Sequence, residues 1–465
     1  MSAPTLFILF PLALSIILYL LQEKRVMVTR IALGVSFFLA LVAYIQPLGG
    51  RIAIGSLSVN LQNSISFLGR ALTLSNSDRF LLVVIYLIAA FWFGGANIAQ
   101  TPKMFVPVGL AITAIMVGAL AVEPFIYAAV LLELAAILTI PLLLTRNQSA
   151  GAGILRFFIY QAIALPVILL AGWMLEGSQA SVSNEVQLRQ ASILLGLGFS
   201  FWLAVFPFHP WVPLVMKESH PYSAGFLLCM QSVVYIVIVI DYLNGFIWLR
   251  DTEALYPILR TVGAVMVATG GIWAAFQQDV RRLFGYIVII VNGFALIGIG
   301  MHTASGLLTL YYKFLPQMVA MGIFALSLSI MMRNDQDSEF SRFTGAFKQK
   351  PFAAGAMILA IFSLAGLPLL ASFPTRMEQF ELLASVSLVT LIWVLVGVGG
   401  LIFAGARLMA TMIGENGVEW RVTERPGEII LLGLGTLTLF TFGLFPNIIS
   451  EALNRLLAII PYLNL

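Results

Sequence analysis

The stretch FSFWLAVFPFHPWVPLVMKESHP, residues 199–221, decides how the chain is read. Its first half has the apolar character of a buried helix, yet Pro207, Pro210 and Pro213 follow in close order with His209 among them. Proline removes a backbone donor and clashes with the carbonyl one turn earlier, so a helix must end or kink here. The surroundings are too apolar for an ordinary solvated loop. A second run, FSLAGLPLLASFPTRM, residues 362–377, repeats the device with Pro368 and Pro374 inside continuing apolar sequence. Carbonyls freed in a bilayer are costly unless protein or water satisfies them, so such breaks belong beside a wet interior. Paired interruptions in corresponding halves point to inverted repeats around a midplane ion site. For residues 209–221 alone, the competing reading is a helix that ends at Phe208 and a short loop after it.

The composition agrees with a membrane setting. The 465 residues are 60% hydrophobic and 10% charged, against about 25% charged in soluble domains. Several nearly uncharged runs reach the ~18–20 residues needed to cross the hydrocarbon layer. The chain is therefore read as an all-α polytopic membrane protein. A net charge of +4 without basic stripes argues against a nucleic-acid partner. Cys229 is the single cysteine, and with three histidines it supplies no zinc, haem or iron–sulfur ligand set. No metal, cofactor or redox site is expected on this chain. Residues 1–22 lack a basic leader and a small-residue cleavage site, and read as a first span.

Apolar runs predict about fourteen spans, near 4–22, 31–48, 80–98, 104–121, 124–145, 154–175, 190–208, 222–241, 257–276, 284–302, 305–332, 352–385, 386–412 and 428–450. The run at 352–385 is too long for one straight helix and contains the second break. Residues 451–465 read as an amphipathic interfacial tail. Alternation in RIAIGSLSVNL, within the connection 49–79, predicts a hairpin. If the amino terminus is outside, 16 of the 25 Lys and Arg fall in inner loops, a bias that places both termini on the outer face.

Three motifs in this order resemble one family. FPFHPWVP resembles the proline-containing seventh-helix motif of the antiporter-like, proton-translocating membrane subunits of respiratory complex I, shared with Mrp-type antiporters and membrane hydrogenases. DVRRLFGYIVIIVNGFALIGIG, residues 279–300, resembles the acidic–basic–basic–leucine run entering the family's tenth helix. FSLAGLPLLASFPTRM is similar to its broken twelfth helix. The resemblance covers the third span to the fourteenth, and implies two inverted five-helix repeats, each with a discontinuous helix. It divides the chain into residues 1–98 (three spans), 99–242 (helices 4–8), 243–413 (helices 9–13) and 414–465 (last span and tail). The family's fifth-helix glutamate falls on Glu133, and its twelfth-helix lysine or glutamate falls on Arg376. Its seventh- and eighth-helix lysines fall on Trp202 and Gln231, which cannot titrate. LVMKESHP departs from the acidic, histidine-containing turn common after the seventh helix.

Each ionisable group carries two readings. Intramembrane charges default to function, so Glu133, Lys313, Arg376 and His209 are candidate proton-relay residues. The rival readings are a protonated Glu133, or one paired with Lys217; a snorkelling Lys313; an Arg376 paired with Glu378 or Glu381; and a hydrogen-bonded loop His209. Gln231 and Asn292 could bridge a water chain without carrying charge. Pro207, Pro210, Pro213, Pro368 and Pro374 are the helix-break candidates.

The resemblance implies a divergent subunit of a complex I-like quinone oxidoreductase assembly, with other membrane subunits and lipid as partners. It would contribute to proton translocation or scaffold it, without electron transfer by this chain. An independent cation/proton exchanger and a non-pumping structural subunit are the alternatives, and a bacterial inner membrane or an organellar energy-transducing membrane is its expected place.

Overall fold

The computed structural model describes residues 2–54, 57–67, 69–144, 151–175, 185–333, 337–414, 420–460 and 463. The helices follow the apolar runs. They are α1 Phe10–Leu20, α2 Arg25–Ile45, α3 Arg79–Gly95, α4 Phe105–Ala121, α5 Ala128–Leu138, α6 Ile140–Leu143, α7 Ala152–Leu175, α8 Glu185–Trp202, α9 Trp211–Glu218 and α10 Pro221–Gly245. After these come α11 Ile247–Arg250, α12 Leu255–Phe276, α13 Val280–Gly300, α14 Ala304–Met331, α15 Ala346–Gln349, α16 Pro351–Ala365, α17 Phe373–Val386, α18 Leu388–Ile413, α19 Pro426–Leu444 and α20 Pro446–Leu457. Among the described residues, ten helices are long and apolar enough to cross a membrane, and three shorter ones are equally apolar.

Helix starts are written in the sequence. Pro221, Pro351 and Pro426 open α10, α16 and α19, where the missing N–H would have had no partner. Asp279 caps α13 by accepting from the Arg282 amide, and Thr303 caps α14 through the Gly306 amide. Other helix ends are satisfied by charged side chains. Glu218 accepts from the Gly153 and Ile154 amides at 2.9 Å, opening α7. Lys350 Nζ donates to the Ile330 carbonyl at 2.8 Å, closing α14.

The predicted hairpin is present: β1 (Arg51–Ile54) pairs antiparallel with β2 (Leu57–Asn60), its tip lying outside the described residues. β3 (Ser64–Phe67), β4 (Arg70–Thr73) and β5 (Val122–Glu123) form a second small antiparallel sheet in the order β3-β4-β5. The predicted tail is helical earlier than expected, because Pro446 opens α20 directly after α19 ends at Leu444. Residues 461, 462, 464 and 465 of that tail lie outside the described residues.

The two proline-rich runs become two gaps. Residues 203–210 separate α8 from α9, and residues 366–372 separate α16 from α17. The competing loop reading of residues 209–221 is corrected, because Trp211–Glu218 is helical. Two proline assignments are corrected as well. Pro213 and Pro374 sit in the first turns of α9 and α17, where a missing N–H breaks nothing. The gaps themselves hold Pro207, Pro210 and Pro368, with left-handed backbone at Ala204, Gly366 and Leu369.

Burial is inside-out relative to a soluble protein. α10 is buried along its whole apolar length and α13 nearly so, whereas α2 exposes Phe37 and Phe38 and α18 exposes Ile392 and Trp393. An apolar exterior on this scale faces lipid. Lipid gives no hydrophobic drive between helices, so close backbone approach at small residues does the holding. α12 is held this way on two sides. A Cβ on Gly263 would lie 2.5 Å from the Gly293 carbonyl oxygen of α13, and one on Gly397 of α18 would lie 2.2 Å from the Val267 carbonyl oxygen. A Cβ on Gly399 meets nothing.

Gly397→Val should therefore destabilise the detergent-solubilised protein by about 1–3 kcal/mol or more through overpacking. Gly399→Val should stay within about 0.5 kcal/mol. Thermal unfolding of the two variants side by side checks this, and equal midpoints would contradict the contact.

Candidate functional site

The site is built at the two gaps, and both lean on α13. At the first, the Leu203 carbonyl has lost its helical donor, and Asn292 Nδ2 of α13 donates to it at 3.1 Å. At the second, the Leu364 carbonyl near the end of α16 accepts from Arg376 Nη2 of α17 at 3.0 Å. Arg376 Nη1 reaches Gln379 Oε1 at 3.4 Å, and Gln379 Nε2 reaches the Phe294 carbonyl of α13 at 3.4 Å. The guanidinium lies 3.3 Å from the centroid of the Phe294 ring, a cation–π contact. Asn292 and Phe294 are two residues apart, so one half-turn of α13 serves both breaks. Gly366 is required beside this arrangement: its φ is +83°, and a Cβ there would lie 2.7 Å from Arg376 Cγ.

Around the first gap the buried polar groups are neutral. Gln231 Nε2 donates to the Tyr235 hydroxyl at 3.1 Å, which donates onward to Gln161 Oε1 at 3.0 Å. The Trp202 ring stacks on Tyr235 with centroids 5.0 Å apart. Gln161 and Tyr235 were not singled out in the sequence reading; the signal available was a lone glutamine in the apolar run FFIYQAIALPV. Glu133 is half-buried on α5, within electrostatic range of the Tyr235 hydroxyl. His209 lies in the gap, partly exposed and stacked on Phe206 at 5.5 Å, with its Nδ1 unpartnered.

At the second gap the buried groups are cationic. Lys313 of α14 and Arg376 of α17 are 4% and 5% exposed, so neither snorkels to water. Among the described residues Lys313 Nζ has no hydrogen-bond partner, and Arg376 is close enough for its charge to reach it. A cation without an acceptor in a low-dielectric interior needs water or a proton acceptor to be tolerable. Lysine can exchange its proton at accessible pH, whereas arginine holds its own and works as a fixed charge.

Two of the rival pairings are corrected. Lys217 faces Asp279 at 3.9 Å and not Glu133. Glu378 and Glu381 lie on the exposed side of α17, so Arg376 is held by carbonyl, amide and ring instead of a carboxylate. Asn292 and Gln231 donate through their amide nitrogens to the Leu203 carbonyl and the Tyr235 hydroxyl, and their amide oxygens have no partner among the described residues, which leaves the water-bridging reading open. The arrangement therefore gathers Lys313 and Arg376 at one break and leaves Glu133 and His209 at the other.

Residues 81–402 match the family described as NADH:quinone oxidoreductase/Mrp antiporter, TM. The chain belongs to this family. NADH-quinone oxidoreductase subunit N 2 of Acidobacterium capsulatum is 26% identical over 257 residues, covering 50% of this chain and 51% of that protein. Subunit N 1 of Chloroherpeton thalassium is 24% identical over 341 residues, covering 67% of this chain and 69% of that protein. The chain thus matches about half the length of the first of these relatives. In fold it is similar to a chain of respiratory complex I from Thermus thermophilus, with TM-score 0.79, 20% identity and 99% of both chains covered. A chain of the Mrp complex from a Dietzia species gives TM-score 0.78 at 15% identity, covering 100% of this chain and 98% of that one. The helical membrane fold described above is shared with both of these solved chains.

Removing the α13 donor tests the first gap. Asn292→Leu should cost about 1–3 kcal/mol by leaving a buried carbonyl unpaired, read as a lowered unfolding midpoint in detergent. A midpoint unchanged from the parent protein would show that the Leu203 carbonyl has another donor.

Proposed function

We propose that this chain is an antiporter-like membrane subunit of a complex I-like assembly, and that its proton-handling capacity resides in the second break. The observation that carries the proposal is the buried, unpartnered Lys313 Nζ beside the fixed charge of Arg376. A group that gains nothing from its packing and costs free energy to bury is retained for what it does. Arg376 tunes and orients; Lys313 gives and takes the proton. His209 and Glu133 are proposed as access groups on the other half. The neutral Gln161, Tyr235 and Gln231 network, stacked under Trp202, supports a structural part for that half.

The proposal includes the arrangement around the site. The ten long apolar helices, the three shorter ones and the broken α8 together make fourteen spans. Residues 1–98 form three spans, 99–242 and 243–413 the two inverted repeats, and 414–465 the last span and tail. The lysine and arginine bias supports both termini on the outer face of an energy-transducing membrane. The relatives are named as subunits of NADH-quinone oxidoreductase, which supports other membrane subunits as partners. The chain itself carries no electron.

The test is proton translocation by the assembly reconstituted in vesicles, measured per electron transferred. Lys313→Met should lower the proton yield with the subunit still assembled, and Arg376→Lys should lower it less. Glu133→Gln should have the smallest effect. A proton yield unchanged by Lys313→Met would reduce the chain to a scaffold.

A further inference from the structure

Between α8, α10 and α12 lies a cleft of about 230 Å³ that the proton-handling site does not use. It runs from Leu203 and Val205 at the first break to Leu249 and Leu255 beyond the end of α10. Ser192 and Ser200 spend their protons on the Leu188 and Gly196 carbonyls of their own helix at 2.9 and 2.6 Å, so the lining is apolar apart from their oxygens and the Tyr242 hydroxyl, which has no partner among the described residues. An empty space of this kind forfeits the dispersion contacts of its lining. Apolar cavities of ~150 Å³ stay dry and take up benzene or xenon.

The cleft opens toward the lipid. Ile258 on its rim is 57% exposed, and Ile193 and Leu197 beside it on α8 are 63% and 37% exposed. Hydrocarbon outside is thus continuous with the space inside. At the other end stand two cations. Arg189 is exposed and lies three residues before Ser192, on the same face of α8. Arg250 follows Leu249, with its Nε engaged by Asp251 at 3.4 Å. A guanidinium fork is suited to a phosphate diester.

We infer that the cleft is a binding site for one anionic phospholipid. One of its acyl chains lies between α8, α10 and α12 with the methyl end against the break at Leu203 and Val205, the other stays in the bilayer, and its phosphate is held by Arg189 and Arg250. The lipid thereby completes the packing on the open side of the first gap.

The test uses the full-length protein in its native assembly, in phosphatidylcholine vesicles carrying a minor fraction of phosphatidylglycerol with a photoreactive diazirine at the chain end. After irradiation, adducts should concentrate on residues 195–205 and 255–262. A Cβ at Gly196 meets no atom within 4 Å, so Gly196→Leu projects into the cleft without a clash. It should cut those adducts about tenfold, the loss expected when a few methylenes no longer fit. Gly433→Leu, equally unobstructed on α19, should leave them unchanged. Arg189→Gln with Arg250→Gln should bring phosphatidylglycerol labelling down to that of a phosphatidylcholine probe. Labelling spread evenly over all exposed helices, or unchanged by Gly196→Leu, would overturn the site. So would an absence of cleft adducts in the assembly, which would assign the space to a partner subunit.

Discussion

Every backbone carbonyl inside a bilayer has to find a donor, and the two helix breaks are where this protein must find donors outside the helix. It does so with side chains placed by one rigid element. Asn292 and Phe294 stand two residues apart on α13, which is buried almost throughout. The first gap takes its donor from α13 directly. The second takes it from Arg376, which α13 holds in place through the Phe294 ring and, by way of Gln379, the Phe294 carbonyl. The position of α13 is fixed in turn by its close glycine contact with α12. Moving that helix would unsatisfy both gaps at once.

The two halves answer the same geometric demand with different chemistry. In the first, two amides and a phenol form a neutral hydrogen-bonded chain under a stacked indole. In the second, a lysine and an arginine are buried together without a carboxylate between them. Hydrogen bonds among neutral groups add modestly to stability, whereas two enclosed like charges subtract from it. Stability alone explains the first half and argues against the second. That asymmetry is what supports the proposal that the chemistry lies at Lys313 and Arg376, with the first half as its frame.

Much of this was legible before the fold was seen. The breaks were marked by Pro207, Pro210 and Pro368, because a proline within an apolar run has few structural meanings. Lys313 and Arg376 stood out because a charge within such a run is costly. The partners were not legible. Lys217 chose Asp279, and Arg376 chose a carbonyl and a ring, because burial of α17's inner face leaves Glu378 and Glu381 on its outer one. Gln161 and Tyr235 escaped notice because neutral polar residues in an apolar span give no charge signal. Pro213 and Pro374 misled by a single turn, since proline is as much at home in the first turn of a helix as in a gap.

The account rests on water and charge meeting at the second break and being kept from the first. A high-resolution structure of the assembly, with ordered water resolved, measures this directly. The account predicts water reaching Lys313 Nζ from one face and none between Trp202, Tyr235 and Gln161. A dry Lys313, or a continuous file of water through the first half, would contradict it.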